Sequence, residues 1–250
     1  MDFSTVAEIH RNYKSRTIDS TIAPGDQMFV PGKELHYFGV GEGGLDNILA
    51  SLVRTRAQNV EQILDLPCGY GRVARHLRVA FPDATISFCD VDTAAVDFCS
   101  RTFNGRAIYS RPELTEVTLG GPFDVIWIGS LFTHVDEART QRWLRYLCAQ
   151  LSRDAILLAT FHGTWSREVH MRKRMIGEKE WSSILEQANR TGFGYATYPG
   201  QDDYGISLAR PSKLIELASA IEGVRILSYT ERGWADHHDV LTVARTDRLG

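Results

Sequence analysis

The sequence predicts an α/β fold: a doubly wound sheet, mostly parallel, with helices on both faces and an antiparallel last strand. Three observations carry that expectation. Apolar or β-branched runs at 60–66, 85–90, 106–110, 123–129 and 155–161 are separated by long connecting stretches, several with helical spacing of apolar residues. Parallel neighbours need crossovers of a dozen or more residues, so this alternation argues for a parallel sheet covered by helices. Two further runs, 224–230 and 239–245, are joined by a link too short for a crossover and so pair antiparallel. Of the 250 residues, 43% are hydrophobic and 24% charged, which is the balance of a globule with ample core and excludes general disorder.

Taken in order, Thr5 and Glu8 have the spacing of a capping box, with Val6, Ile9 and Tyr13 at helical intervals around them. A Pro/Gly-bounded loop over 24–32 follows. Leu45, Ile48, Leu49, Leu52 and Val53 then make the stripe of a second helix. These elements define an N-terminal helical cover, residues 1–57, ahead of a core assigned to 58–164 and 210–250. In the core, helices at 72–81 and 92–103 follow the first two strands. A third, over 136–151, takes Asp136 as its cap and aligns Trp143, Leu144, Leu147 and Leu151 on one face. Pro211 opens the last helix, with Leu214, Ile215, Leu217, Ala218 and Ile221 behind it. The stretch 165–209 is too long for a strand-to-helix loop. It reads as an inserted lid over the C-terminal edge of the sheet, where open α/β sheets bind ligands. Within it, Glu178 to Arg190 is helical and the glycine- and tyrosine-rich run from Gly192 to Gly205 reads as a long loop.

Charge and composition narrow the function. Lys plus Arg is 28 and Asp plus Glu is 31, a net charge of −3. Binding to nucleic acid draws on a strong positive field, so a nucleic-acid partner is not expected. No apolar run reaches the length of a membrane span and the N-terminus has no signal-like pattern, so a cytoplasmic location is expected. Four cysteines, Cys68, Cys89, Cys99 and Cys148, have no pairing spacing and read as reduced thiols.

The most informative stretch is Ile63-Leu64-Asp65-Leu66-Pro67-Cys68-Gly69-Tyr70-Gly71-Arg72-Val73-Ala74. It reads as a strand ending in an acid, a tight turn and a helix start. Glycines at 69 and 71 let the backbone approach a ligand, and a helix N-terminus offers free N–H groups. A second acid, Asp90, closes the next strand, where a carboxylate is placed to accept the hydroxyls of a ribose. Gly69-x-Gly71-x-x-Ala74 also meets the loose dinucleotide fingerprint, so an NAD(P)-dependent oxidoreductase is an alternative class. Asp65 argues against it, because a carboxylate there repels a pyrophosphate and suits a cation.

An acid followed by spaced glycines resembles the first motif of the class I S-adenosylmethionine-dependent methyltransferases. The resemblance covers roughly residues 43–164 with the closing helix and hairpin. It implies a Rossmann-like fold and S-adenosyl-L-methionine as the methyl donor. By that correspondence, Asp65, Gly69 and Gly71, with Pro67, Cys68 and Arg72 around them, line the methionine part. Asp90 meets the ribose, Val91 the adenine edge, and Ser110 and Arg111 flank the adenine. The run Phe123 to Leu131 is similar to the family's fourth-strand motif, which places Gly129, Ser130 and Leu131 beside the sulfonium. Tyr37 and Gly41 close over the donor. Pro67 departs from the pattern, standing where the family commonly has glycine.

For the acceptor, eight histidines are informative because four fall at the catalytic edge. His134 follows the fourth strand, His162 the fifth, and His237-His238-Asp239 opens the last strand. A hydroxyl acceptor benefits from a general base or a metal ion. His134 is assigned as base, with His162 or His238 as the substitute. Each also has an ordinary reading, as a helix-start hydrogen-bonder or a solvated hairpin residue. If a metal such as Mg2+ is used, His237, His238 and Asp239 are the candidate ligands. Trp165, Tyr195, Tyr198, Tyr204, Asp202 and His237 combine flat aromatic faces with polar groups, which suits a polyhydroxylated acceptor. The segments Gly233-Trp234, His237-His238-Asp239-Val240 and Tyr204-Gly205-Ile206-Ser207 look similar to methyltransferases of polysaccharide and glycoside biosynthesis, for instance those that methylate mannosides in mycobacterial polysaccharide. That likeness implies O-methylation of a sugar or a glycosylated small molecule. The alternatives are N- or aromatic O-methylation of a small natural product, or a non-catalytic module that retains the donor site.

Overall fold

The protein is described from a computed structural model, which covers residues 1–55 and 59–246. The expected boundary between cover and core, at 57/58, and the last four residues of the expected core lie outside the described residues.

Seven strands form one sheet. They are β1 (Gln62–Asp65), β2 (Thr85–Asp90), β3 (Arg106–Tyr109), β4 (Phe123–Ile128), β5 (Leu151–His162), β8 (Val224–Trp234) and β9 (His238–Arg245); β6 (Phe193–Thr197) and β7 (Gly205–Ala209) lie outside it. Their order across the sheet is β3-β2-β1-β4-β5-β9-β8. The first five are parallel, while β9 runs antiparallel to both β5 and β8. The fold class expected from the sequence is the one observed. Successive side chains of a strand point to opposite faces, and both faces here are apolar. Ile63, Val125, Trp127 and Leu158 enter one core layer with α1 (Phe3–Lys14), α2 (Glu34–Leu52), α3 (Ala74–Ala80) and α4 (Thr93–Thr102). Leu64, Ile126, Ile128 and Leu157 enter the other, beneath α5 (Glu137–Ala149) and α8 (Pro211–Ser219). Near-continuous apolar strands are the mark of a sheet covered on both sides.

Local differences from expectation have local causes. The first helix is capped by Asp2, not by a box built on Thr5. Asp2 is extended, and its carboxylate accepts the Thr5 N–H at 2.8 Å, so the helix starts one turn earlier. Asp136 caps α5 as expected, accepting the Arg139 N–H at 2.8 Å. Leu151 belongs to β5, not to the helix before it.

The segment expected as a lid holds α6 (Ser166–Lys173), α7 (Glu178–Thr191) and a hairpin of β6 (Phe193–Thr197) with β7 (Gly205–Ala209). The run from Gly192 to Gly205, with four glycines and a proline, reads in the sequence as a long loop but forms this hairpin. Two of those glycines instead serve close packing. A Cβ on Gly194 would lie 2.0 Å from the Ile184 carbonyl oxygen, and one on Gly205 2.0 Å from that of Ala196. Only glycine admits the backbone at that distance. A small core of Ile176, Trp181, Ile184, Ala188, Ile206 and Leu208 holds the unit together. Gly205 and Ser207 donate to the carbonyls of His134 and Thr133, which fixes the hairpin to the loop after β4.

Candidate active site

A cavity of about 570 Å3 opens at the C-terminal ends of β1, β2, β4 and β5. One half is built by the turn after β1. Gly69 has φ +47° and a Cβ there would meet nothing within 4 Å, so this face is open to a ligand. Gly71 has φ +78°, but its Cβ would lie 2.2 Å from the Phe103 ring; its role is packing, and it does not line the cavity. The Leu66–Pro67 peptide is cis. Asp90 steadies the turn: its carboxylate accepts the Gly69 N–H at 2.8 Å and the Asp92 N–H at 3.0 Å. Burial raises the Asp90 pKa, and these backbone donors oppose the rise.

Asp65 lies beside them, fully buried, with its Oδ2 bonded to nothing among the described residues. Desolvation, reinforced by the charge of Asp90, pushes its pKa up to about 8. A buried carboxyl left unpaired is costly unless a ligand completes it. From the cover, Tyr37 closes the same half, donating to Asp26 at 2.5 Å. Gly41 does not line it; a Cβ there would lie 2.0 Å from the Arg72 carbonyl, so it lets α2 approach α3.

The other half is built by imidazoles and tyrosines. His134 is half-buried, stacked on Tyr204 at 4.6 Å between ring centres, with Tyr198 at 6.2 Å. Its Nδ1 lies 2.8 Å from the Gly205 carbonyl. A carbonyl only accepts, so Nδ1 carries the proton and Nε2 keeps its lone pair. Burial lowers the His134 pKa and favours that neutral form at pH 7. His162 and His238 also line this half, as does His237.

Between the halves stand Gly129 and Ser130. Ser130 holds φ +64°, a conformation rare for a non-glycine residue, and its N–H donates to Thr160 Oγ1 at 2.8 Å. Strain of this sort concentrates at functional sites.

The cavity thus gathers Tyr37, Asp65, Pro67, Cys68, Gly69, Arg72, Asp90, Gly129 and Ser130 on the expected donor side, and His134, His162, His237, His238, Tyr198 and Tyr204 on the acceptor side. Others fall outside its wall. Val91 is 64% exposed. Ser110 does not reach the cavity, Arg111 lines a separate shallow one near Gly120, and Leu131 packs against the apolar layer beneath α5. Tyr195 faces that same layer, Asp202 sits exposed at the hairpin tip, and Trp165 lies under the Arg232 guanidinium at 4.2 Å. Asp239 parts from His238 because adjacent strand residues point to opposite faces. Its carboxylate accepts from Tyr229 Oη and from the Arg232 N–H instead.

Two further cavity residues have no role in the wall that the sequence assigns, although Gly233-Trp234 is among the segments that carry the likeness to glycoside methyltransferases. Trp234 donates its Nε1 to the Val40 carbonyl at 2.8 Å, meets Trp127 edge-on at 5.3 Å and carries the Arg72 guanidinium over its ring. Asp26 reaches the wall from an irregular loop, with no periodicity to announce it.

Residues 64–157 match a family model described as a methyltransferase domain. The matched segment runs from β1 into β5 and includes the glycine turn, Asp90 and His134. No curated protein matches the chain. Among solved structures, the chain is similar to an S-adenosylmethionine-dependent methyltransferase from Clostridium acetobutylicum. The two share 9% identity over 98% of this chain and 99% of that one, at a TM-score of 0.57. It is also similar to CalS10, an amino pentose methyltransferase from Micromonospora echinaspora, at 13% identity over 87% and 98% and a TM-score of 0.58. The sugar N-methyltransferase KedS8 from a Streptoalloteichus species is 15% identical over 93% and 99%, with a TM-score of 0.57. At such identities the likeness is one of fold, and it spans nearly the whole of each chain. No helix among the described residues is long and apolar enough to cross a membrane.

Proposed function

We propose that this chain is an S-adenosylmethionine-dependent methyltransferase that acts on a hydroxyl of a sugar or glycosylated small molecule, with His134 as general base. The observation that carries the donor assignment is the unpaired, buried Oδ2 of Asp65 beside the open face of Gly69. A cationic amino-acid tail completes that carboxylate, whereas the pyrophosphate of a nicotinamide dinucleotide is repelled by it. Asp90 accepts one backbone N–H on each oxygen and retains lone pairs for ribose hydroxyls. When bound, S-adenosylmethionine supplies an electrophilic methyl on its sulfonium.

On the acceptor side, the Nε2 lone pair of His134 takes the hydroxyl proton as the oxygen attacks. Tyr204 and the Gly205 carbonyl hold the imidazole in one orientation and one tautomer. Tyr198 and Tyr204 present flat faces of the kind on which sugar rings pack. In-line placement of oxygen, methyl and sulfur supplies much of the rate. A second reading, methylation of a sugar amine, draws on the two sugar-modifying neighbours, which act on an amino pentose and on a sugar nitrogen.

Formation of S-adenosylhomocysteine across a panel of mannosides, other glycosides and amino sugars separates these readings. The expected result is turnover with hydroxyl acceptors. Turnover confined to amino sugars replaces the oxygen acceptor with nitrogen. Calorimetry with S-adenosylhomocysteine and with NAD tests the donor: heat with NAD alone overturns methyl transfer.

A further inference from the structure

The sheet edge holds a cluster that the transfer step above leaves unused. His162, at the end of β5, pairs in register with His238, at the start of β9, and His237 precedes it. Ring centres of His162 and His238 are 5.1 Å apart, those of His237 and His238 4.2 Å, and those of His162 and His237 6.2 Å. One ligating nitrogen from each lies within 4.8 Å of the other two. Two of the rings are already set for coordination. Nδ1 of His162 faces the Ser207 carbonyl at 3.1 Å and Nδ1 of His237 the Ala235 carbonyl at 2.7 Å. Both Nδ1 atoms therefore carry the proton and both Nε2 atoms keep a lone pair, the arrangement usual for metal-bound histidines. His238 holds a buried Nδ1 with no hydrogen-bond partner among the described residues.

We propose that His162, His237 and His238 bind a divalent transition-metal ion of the zinc, cobalt or nickel kind at the acceptor end of the cavity. Imidazole nitrogens suit such ions, whereas Mg2+ takes oxygen ligands and this cluster offers none. The carboxylate of Asp239 is committed to Tyr229 and Arg232 on the other face of β9. Bonds of about 2.0–2.1 Å require nitrogens closer together than the present span, so binding draws the rings inward. Three protein ligands leave a coordination position facing the cavity, near His134, whose ring centre is 6.3 Å from that of His162. On the methyl-transfer reading, that position takes the acceptor hydroxyl. Its O–H bond breaks with the proton passing to His134, and the oxygen electron pair forms the bond to the methyl as the methyl–sulfur bond breaks.

The test is a Co2+ titration of the full chain after treatment with a chelator, followed by visible absorption. The expected result is one equivalent bound, with the bands of a four-coordinate site, undisturbed by excess Mg2+. His237→Ala, at a half-buried position that the fold tolerates, weakens binding at least about tenfold. His134→Ala leaves the spectrum in place. Absence of those bands, or an affinity that His237→Ala and His238→Asn both leave unchanged, overturns the proposal. Calorimetry with S-adenosylhomocysteine on the same samples keeps the two readings apart. Binding of that product without cobalt overturns the metal site alone; cobalt without that product supports the metal site and overturns methyl transfer.

Discussion

The two halves of the cavity are made in different ways. The donor half is chiefly the work of one contiguous stretch, Asp65 to Asp92, in which backbone conformation does most of the shaping: two left-handed glycines, a carboxylate that ties the turn, and one acid left unpaired. The acceptor half is assembled from four remote pieces, the loop after β4, the end of β5, the β6–β7 hairpin and the β8–β9 connection, and side chains do the shaping. The charge differs as well. Carboxyls face one half and neutral imidazoles the other. A substitution in the first half therefore acts on the turn and its ligand together, whereas one in the second can remove chemistry while leaving the fold alone.

The sharpest way to break that contrast is His134→Ala. Loss of a general base lowers turnover about 10²–10⁴-fold. Affinity for S-adenosylhomocysteine, read by calorimetry, stays near that of the native chain. If both fall together, the halves are not separable.

Next come the glycines of the donor turn. Gly71→Ala meets both a left-handed φ and the Phe103 ring, and is expected to cost about 2–4 kcal/mol by chemical denaturation. Gly69→Ala, with open space around it, costs about 1–2 kcal/mol from φ alone. Its larger effect is on donor affinity, because the new methyl enters the cavity. Equal stability losses would show that the two glycines share one role.

Asp90→Ala removes an acceptor for two backbone N–H groups and for the ribose. A loss of about 10–100-fold in product affinity follows from hydrogen bonds to a charged group. Acceptor KM is the control and stays put if the halves are independent.

The smallest effect is in pH. With the Asp65 carboxyl raised to about 8, the free chain holds it protonated at neutrality, and a cationic ligand must displace that proton. Affinity therefore increases with pH, by up to about tenfold per unit as pH rises to about 8, and levels off above it. The sign for stability is opposite. Because the folded pKa lies above the ordinary 3.8, folding takes up a proton between the two values; the contribution is full below about pH 4 and is lost as pH rises towards 8. Asp65→Asn is expected to flatten the affinity profile and raise Tm at pH 8, by about 2–4 °C per kcal/mol recovered.

The same division decides what a sequence reader can see. The alternation of strands and helices, the antiparallel close and the donor turn follow from apolar runs and from spacing within some thirty residues, which is information carried locally. Asp65 and Asp90 are recognisable because each ends a strand. Composition suggests Trp165, Tyr195 and Asp202 as acceptor contacts, but the facing of Tyr195 depends on the register of β6 with β7, and the places of Trp165, at the start of α6, and Asp202, at the hairpin tip, depend on tertiary packing. Asp239 shows the same limit: beside His238 in the chain, it lies on the other face of the strand. Trp234 and Asp26 reach the cavity through tertiary packing against Val40 and Tyr37, contacts that no local pattern encodes.

The hairpin is joined to the loop after β4 in large part through main-chain groups, with the Ser207 hydroxyl donating to the Phe132 carbonyl beside them. Gly205 and Ser207 donate to the carbonyls of His134 and Thr133, and the Gly205 carbonyl receives the imidazole of His134. Main-chain bonds are indifferent to the identity of the side chains beside them. Tyr198 can therefore be exchanged without loosening the wall that carries it, while the base keeps its tautomer and its stack on Tyr204. The acceptor side is in that sense built to be re-specified: selection or design can explore new substrates at that position with the catalytic geometry intact.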